Sequence, residues 1–211
     1  MDGQPSQRRY ESVRRVEQAQ RTRADIAAAA GRLFVSRGWA GTTIRDVARE
    51  AGVAVPTVYA AYRSKAGLVW ALADAADLAA DLPAMLDEIE RSARPRQQLA
   101  AMAAFDRRLF ERAGDLIALV REAGRTEPEL AGLYRQARTR ADQTRVQVFS
   151  SWPGGTLRGD LDVAAAVDVY AGLCSIDVYT TLTAERSWPP ERVERWWAGV
   201  LARELLANPD R

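Results

Sequence analysis

Residues 42–68 read TTIRDVAREAGVAVPTVYAAYRSKAGL. After the threonine pair, Ile44, Val47 and Ala48 recur at spacings of three and four, the signature of one helix face. Gly52 follows, a residue free to take the backbone geometry of a sharp turn. A second short helix is expected from about Val55 to Tyr62, with Val58 and Tyr62 four apart as its inward pair. Helices this short are marginal alone, so a tightly joined pair needs a reason to exist. One arrangement supplies it: the first helix braces on the DNA backbone while the second lies in the major groove, which is wide enough to admit an α-helix. The second helix is then the reader. Thr57 and Tyr59 are its outward residues, small or hydroxyl-bearing groups that can approach phosphates and thymine methyls.

Working outward, a helix is expected from about Thr22 to Arg37, capped by Thr22 with Asp25 in its first turn and burying Ile26, Ala30, Leu33 and Phe34. Gly38 ends it. Residues 1–20 are polar, with arginine pairs at Arg8/Arg9 and Arg14/Arg15, and are expected to form a flexible basic arm. Ser64 caps a fourth helix that faces Leu68, Leu72, Ala75 and Ala79 inward and ends at Pro83. Further amphipathic helices are expected at roughly 84–93, 96–112, 115–124 and 128–150, punctuated by Pro95, Gly114, Gly124 and Pro128. The loop WPGGTLRGD precedes two more, at 162–184 and 190–207, and its Arg158-Gly159-Asp160 triplet reads as a turn before the next helix cap. The domains are therefore 1–20, the basic arm; 21–68, the helix-turn-helix unit; and 69–211, a larger helical unit.

Composition agrees with an all-α chain. The 211 residues are 47% hydrophobic, rich in alanine, and show no sustained period-two alternation. The chain has no histidine and one cysteine, Cys174, which removes most hydrolytic triads, imidazole acid/base chemistry and the usual zinc sites. No metal and no cofactor are expected. Acidic pairs such as Asp87/Glu88 and Glu127/Glu129 could serve a carboxylate enzyme, but solvation at turns or exposed faces explains them fully, so catalysis is not expected. A single cysteine forms no intramolecular disulfide, and no apolar run near eighteen residues is evident, so the expected address is cytoplasmic, with no membrane partner. Residues 1–68 carry twelve Arg/Lys against six Asp/Glu, whereas the remainder carries eighteen against twenty-two. Only the front half is suited to meet a polyanion.

These stretches together resemble the DNA-binding domain of TetR-family transcriptional regulators. The resemblance is carried by AAAAGRLFVSRGW (27–39), AGTTIRDVAREAGV (40–53) and TVYAAYRSKAGL (57–68), and covers about residues 22–69. It implies a DNA face made of Thr42, Thr43, Arg45, Val55, Pro56, Thr57, Tyr59, Tyr62 and Lys65. Thr42 and Thr43 would meet a phosphate at the start of the second helix, Tyr62 would be a phosphate contact or a packing aromatic, and Lys65, the only lysine in the chain, a phosphate contact. Two departures stand out. Ala54 replaces a frequent serine cap, a loss of about 1 kcal/mol, and Pro56 stands where glycine is common, fixing φ near its helical value. Ala61 and Tyr62 also replace a frequent His-Phe pair.

The resemblance further implies a carboxy-terminal effector-binding and dimerisation domain whose last two helices pair with those of a second copy. Apolar stripes through Val167, Tyr170 and Leu173 and through Trp197, Val200 and Leu201 supply candidate dimer residues. Met85, Met102, Phe105, Phe110 and Tyr134 are candidate pocket residues, with Arg121, Asp106 or Asp177 as orienting polar groups. The expected function is a ligand-responsive regulator, a repressor that binds a near-palindromic operator in double-stranded DNA as a homodimer and is released by a small-molecule effector. The alternative is an activator, or a ligand-independent regulator of the same fold.

Overall fold

A computed structural model of the chain describes the backbone of residues 5–208 and the side chains of residues 14–208. Ten α-helices follow one another: α1 (Pro5–Arg37), α2 (Ile44–Glu50), α3 (Val55–Tyr62), α4 (Lys65–Ala79), α5 (Leu82–Arg91), α6 (Pro95–Ala123), α7 (Pro128–Ser150), α8 (Val163–Leu173), α9 (Ile176–Thr180) and α10 (Pro190–Leu205), with a π-helical turn at Thr181–Glu185. Among the described residues the only β-type pairing is an isolated antiparallel bridge between Leu157 and Leu206. The all-α expectation holds. The chain divides into two compact units at Leu72–Ala73, a few residues beyond the boundary expected at Leu68.

In the first unit the core is the stripe that the sequence marks on α1. Ile26, Ala29, Ala30, Leu33 and Phe34 are buried, together with Val47 and Ala48 of α2, Val58 of α3, and Ala66, Leu68 and Val69 of α4. Gly38 takes φ +69° after α1, and Gly52 takes φ +67° between α2 and α3, a region open to glycine at little cost. The expected arm and the Thr22 cap are corrected: the backbone is helical from Pro5, so Thr22 and Asp25 lie inside α1 and residues 1–4 are outside the described range. Nothing in residues 5–21 breaks a helix, since Gln, Arg, Glu and Ala are all strong helix formers.

The second unit closes around a large aromatic and aliphatic core. Phe110, Tyr179 and Trp197 meet one another with ring centroids 5.8 to 6.1 Å apart. Trp197 is fully buried and its indole N–H donates to the Leu173 carbonyl at 2.9 Å, which satisfies a backbone acceptor left open where α8 ends. Three expected boundaries move. Gly114 does not interrupt α6, because a helical glycine costs only about 1 kcal/mol and α6 is anchored on both sides of it. Pro83 opens α5 rather than closing α4; it sits in the first turn after Asp81, whose side chain caps Ala84. The expected helix 162–184 breaks at Cys174, and Ser175 caps a new start at Ile176, its hydroxyl accepting from the Val178 N–H. Val163–Glu185 is, by length and composition, apolar enough to cross a membrane, contrary to the sequence expectation. Its Ala166, Val167, Tyr170, Cys174, Ile176 and Tyr179 face the core of this unit instead.

Inside that core lies a charged cluster. The Asp106 carboxylate accepts a hydrogen bond from the Tyr170 hydroxyl at 2.9 Å and sits 3.6 Å from the Arg145 guanidinium. Arg145 donates to Asp142 at 2.7 Å and lies over the Tyr170 ring, 4.6 Å from its centroid. Burial lifts the Asp106 carboxyl above its ordinary value despite the opposing pull of Arg145 and Tyr170, and it raises the Tyr170 phenol and the Cys174 thiol well above theirs. Asp106 therefore binds its proton more tightly folded than unfolded, so its contribution is present below the unfolded carboxyl range and is lost as pH rises through the folded value.

Two stability measurements check this arrangement. Trp197→Ala is expected to cost about 3–5 kcal/mol in urea denaturation, from the cavity and the uncapped carbonyl together. Arg145→Met leaves Asp106 buried without its cation and is expected to cost about 3–5 kcal/mol near pH 7. The loss should shrink as pH falls, because a protonated Asp106 no longer needs the cation.

Candidate nucleic-acid interface

Helix α2 is seven residues long and owes its start to Thr43. The Thr43 hydroxyl oxygen accepts from the Asp46 N–H at 3.1 Å, and the Thr43 N–H donates to the Asp46 carboxylate at 3.0 Å, a reciprocal capping box. The Thr43 hydroxyl also donates to that carboxylate at 2.6 Å. These bonds, with the Arg49 guanidinium, hold the Asp46 carboxyl below its ordinary value. Thr43 is exposed at the start of the helix. Thr42 is not. Its side chain is buried and its hydroxyl donates to the Leu33 and Gly38 carbonyls at 3.1 and 2.9 Å, so Thr42 joins α1 to α2 and is withdrawn from the DNA face.

Helix α3 starts at Ala54 with no side-chain cap and with proline in its first turn. Only Val58 is fully buried; Pro56, Thr57, Tyr59 and Ala60 are exposed and Val55 is half-buried. Tyr59, half exposed, is one of few large apolar side chains on the surface. Tyr62 turns the other way. Its hydroxyl donates to the Arg23 carbonyl at 2.7 Å while the Arg23 guanidinium donates to the Ala61 carbonyl at 2.7 Å and lies 5.3 Å from the Tyr62 ring. Of its two expected roles, Tyr62 takes the packing one. Burial raises its phenol above the ordinary value against the pull of Arg23.

Lys65 opens α4 with its ammonium over the Trp39 ring, 3.9 Å from the centroid, and donating to the Trp39 carbonyl. Trp39 in turn stacks on Phe34 at 5.7 Å. Lys65 thus ties the start of α4 to the turn after α1, a task the sequence resemblance did not indicate. Arg45 on α2 is exposed. Of the expected DNA-face residues, those that α2, its cap and α3 leave exposed are Thr43, Arg45, Pro56, Thr57 and Tyr59. One exposed cation was absent from the expected set: Arg63, just beyond α3, whose positive φ of 62° no sequence signal announces.

The second unit answers the remaining expectations less favourably. Met85, Met102 and Phe110 are buried core and Phe105 packs against them. Arg121 and Asp177 form an ion pair at the surface, so neither orients a ligand in an enclosed pocket; Tyr134 is half-buried. Val167, Tyr170, Trp197 and Leu201 are core of a single chain and are withdrawn as dimer residues, leaving half-buried Leu173 and Val200. An open cleft of about 640 Å³ is lined by Ala93, Arg94, Pro95, Gly154, Gly155, Thr156, Leu206 and Asn208, none of them expected. No group of three or more potential metal ligands occurs among the described residues.

A sequence profile for bacterial regulatory proteins of the tetR family matches residues 26–72, the α1–α4 region just described. The HTH-type transcriptional regulator TtgR of Pseudomonas putida is 51% identical over 63 residues, which is 29% of this chain and 30% of that protein. The match thus spans under a third of this relative's length. Over most of the chain the likeness is one of fold. A Saccharomonospora viridis protein described as a transcriptional regulator and solved with choline superimposes with a TM-score of 0.71 at 21% identity, covering 90% of this chain and 100% of that one. A Mesorhizobium loti protein described as a TetR-family transcriptional regulator gives a TM-score of 0.65 at 18% identity, covering 88% and 95%. These relatives are regulators, not enzymes. Residues 26–72 therefore match the helix-turn-helix unit of the tetR family, and the chain as a whole shares the fold of these solved regulators.

Proposed function

We propose that the chain is a ligand-responsive repressor that binds a near-palindromic operator in double-stranded DNA as a homodimer and is released by a small-molecule effector. The observation that carries this reading is the exposed face of α3. Thr57 and Tyr59 stand in solvent on a short helix whose opposite side is pinned by Val58, which is the arrangement a groove-reading helix needs. Thr43 and Arg45 supply the backbone-positioning contacts that fix register without reading sequence. Lys65 contributes at the same edge through its fixed place over Trp39.

A dimer follows from the size of the reader. One eight-residue helix covers too few base pairs for high specificity, whereas two related by a two-fold axis reach half-sites about 34 Å apart or a multiple of it. Leu173 and Val200 are the half-buried apolar residues left on the two stripes to meet a second copy. Support for an effector comes from the similar fold that holds choline in the S. viridis protein. An effector works here by binding more tightly to a state whose reader helices are wrongly spaced for DNA.

Selection of bound duplexes from a randomised DNA pool tests the reading: an enriched near-palindrome is expected, and salt-sensitive binding without any enriched sequence would sink it. Tyr59→Ala should abolish sequence-specific binding and leave the oligomeric state unchanged by light scattering; a monomer instead would move Tyr59 off the DNA face. Thr43→Ala should destabilise the first unit by about 1 kcal/mol. By carboxyl NMR titration it should also return Asp46 toward the ordinary value. The cap's contribution through Asp46 is present above the unfolded carboxyl range and is lost as pH falls through the folded value.

A further inference from the structure

The turn between α3 and α4 is strained, and the residue that bears the strain is an exposed arginine. Arg63 has φ +62° and ψ −41°, and the Ser64 N–H donates to the Tyr62 carbonyl at 2.6 Å, two residues back. Positive φ with negative ψ around an i to i+2 hydrogen bond is the γ-turn form that L-residues rarely adopt. A β-carbon disfavours this geometry, and glycine would take it with little penalty. Such outliers persist only where the surroundings over-determine them, and they cluster at sites of function.

Here the surroundings can be named. On the α3 side, the Arg63 N–H donates to the Tyr59 carbonyl at 2.8 Å, and Tyr62 is clamped by its hydroxyl bond to the Arg23 carbonyl. On the α4 side, the Ser64 hydroxyl accepts from the Gly67 N–H at 3.0 Å. The Tyr62 carbonyl presses so close to α4 that a β-carbon at Gly67 would collide with it. Everything around Arg63 is fastened while its own side chain is not: it is exposed, and no hydrogen bond or ion pair holds its guanidinium among the described residues. Arg63 directly follows Tyr62, the last residue of α3, and so stands at the carboxy end of the helix that carries Tyr59. A free cation fixed at the end of the reading face is suited to one partner, an anion arriving with the groove.

We infer that Arg63 contacts the DNA backbone and that the strained turn holds it at the carboxy end of the reader helix. The inference rests on the DNA-binding reading above, and it adds a positioning contact to the DNA face that the resemblance implied, which did not include Arg63. A phosphate contact carries no sequence information but fixes register and adds about one to the salt dependence of binding.

The test uses the full chain and a mixed-sequence duplex of about thirty base pairs, with affinity measured against salt concentration. Arg63→Gly keeps the turn, so its melting midpoint does not fall, while affinity drops about three- to tenfold and the slope of log K against log salt falls by about one. Arg63→Lys keeps the charge and should retain the slope. If wild-type protein binds the duplex and Arg63→Gly matches it in affinity and slope, the contact does not exist. A lowered midpoint in Arg63→Gly overturns the strained-turn assignment. If the wild-type chain itself fails to bind any duplex, the DNA-binding reading falls first.

Discussion

An eight-residue helix does not hold itself together in water, and α3 is such a helix, without even a side-chain cap at its start. Its order is imposed from outside. Val58 is buried beneath it, Pro56 sets its first turn, and Tyr62 pins its last turn to α1 through Arg23. This constraint explains why so much of the first unit consists of short-range fastening. The buried Thr42, the Thr43 and Asp46 box, and Lys65 over Trp39 all tie one short element to the next. The outcome is a helix whose inner side is fully committed and whose outer side is left to a partner.

The first unit was largely legible in sequence, because its determinants are local. The α1 stripe, the turn glycines, the Thr43 cap, the uncapped Ala54 and the inward Val58 are each set by neighbours within a few residues. What sequence missed depended on contacts at long range. Thr42 and Thr43 are identical in type, and only the carbonyls of Leu33 and Gly38 decide that one is buried. Tyr62 and Lys65 were legible as residues of the motif, but their partners Arg23 and Trp39 lie 39 and 26 positions away. The helical run from Pro5 was missed for another reason: polar composition was read as an arm, although most of its residues, Gln, Arg, Glu and Ala, favour a helix.

The second unit was legible as helices but not as a site. Apolar stripes at helical spacing do not say whether they meet the same chain or another, and Tyr170 and Trp197 went to the core. Arg121 and Asp177 found each other at the surface, whereas Asp106, weighed only as an alternative, lies in the core beside Arg145, which no pattern marked. That pair is 39 residues apart on facing helices and leaves no trace in periodicity. The break at Cys174 was equally hidden, since the apolar stripe runs through it as if along one helix and the indole of Trp197 is what satisfies the broken end.

The two units therefore handle polar groups in opposite ways. In the second, the charges of Asp106 and Arg145 are turned inward and paired at a cost in desolvation, so removing either partner exposes the other to that cost. In the first, the polar groups that hold the fold are bonded to backbone or to each other, and the face they support keeps its hydroxyls and its arginine unspent. Such a face gains nothing for folding from Thr57, Tyr59 or Arg63, and Arg63 weakens it by sitting where glycine would be easier. Of the described non-glycine residues held at positive φ, Arg63, Asp81 and Ser187, only Arg63 stands beside the exposed residues of α3, and there the cost to the fold is best explained by what the residue meets outside it.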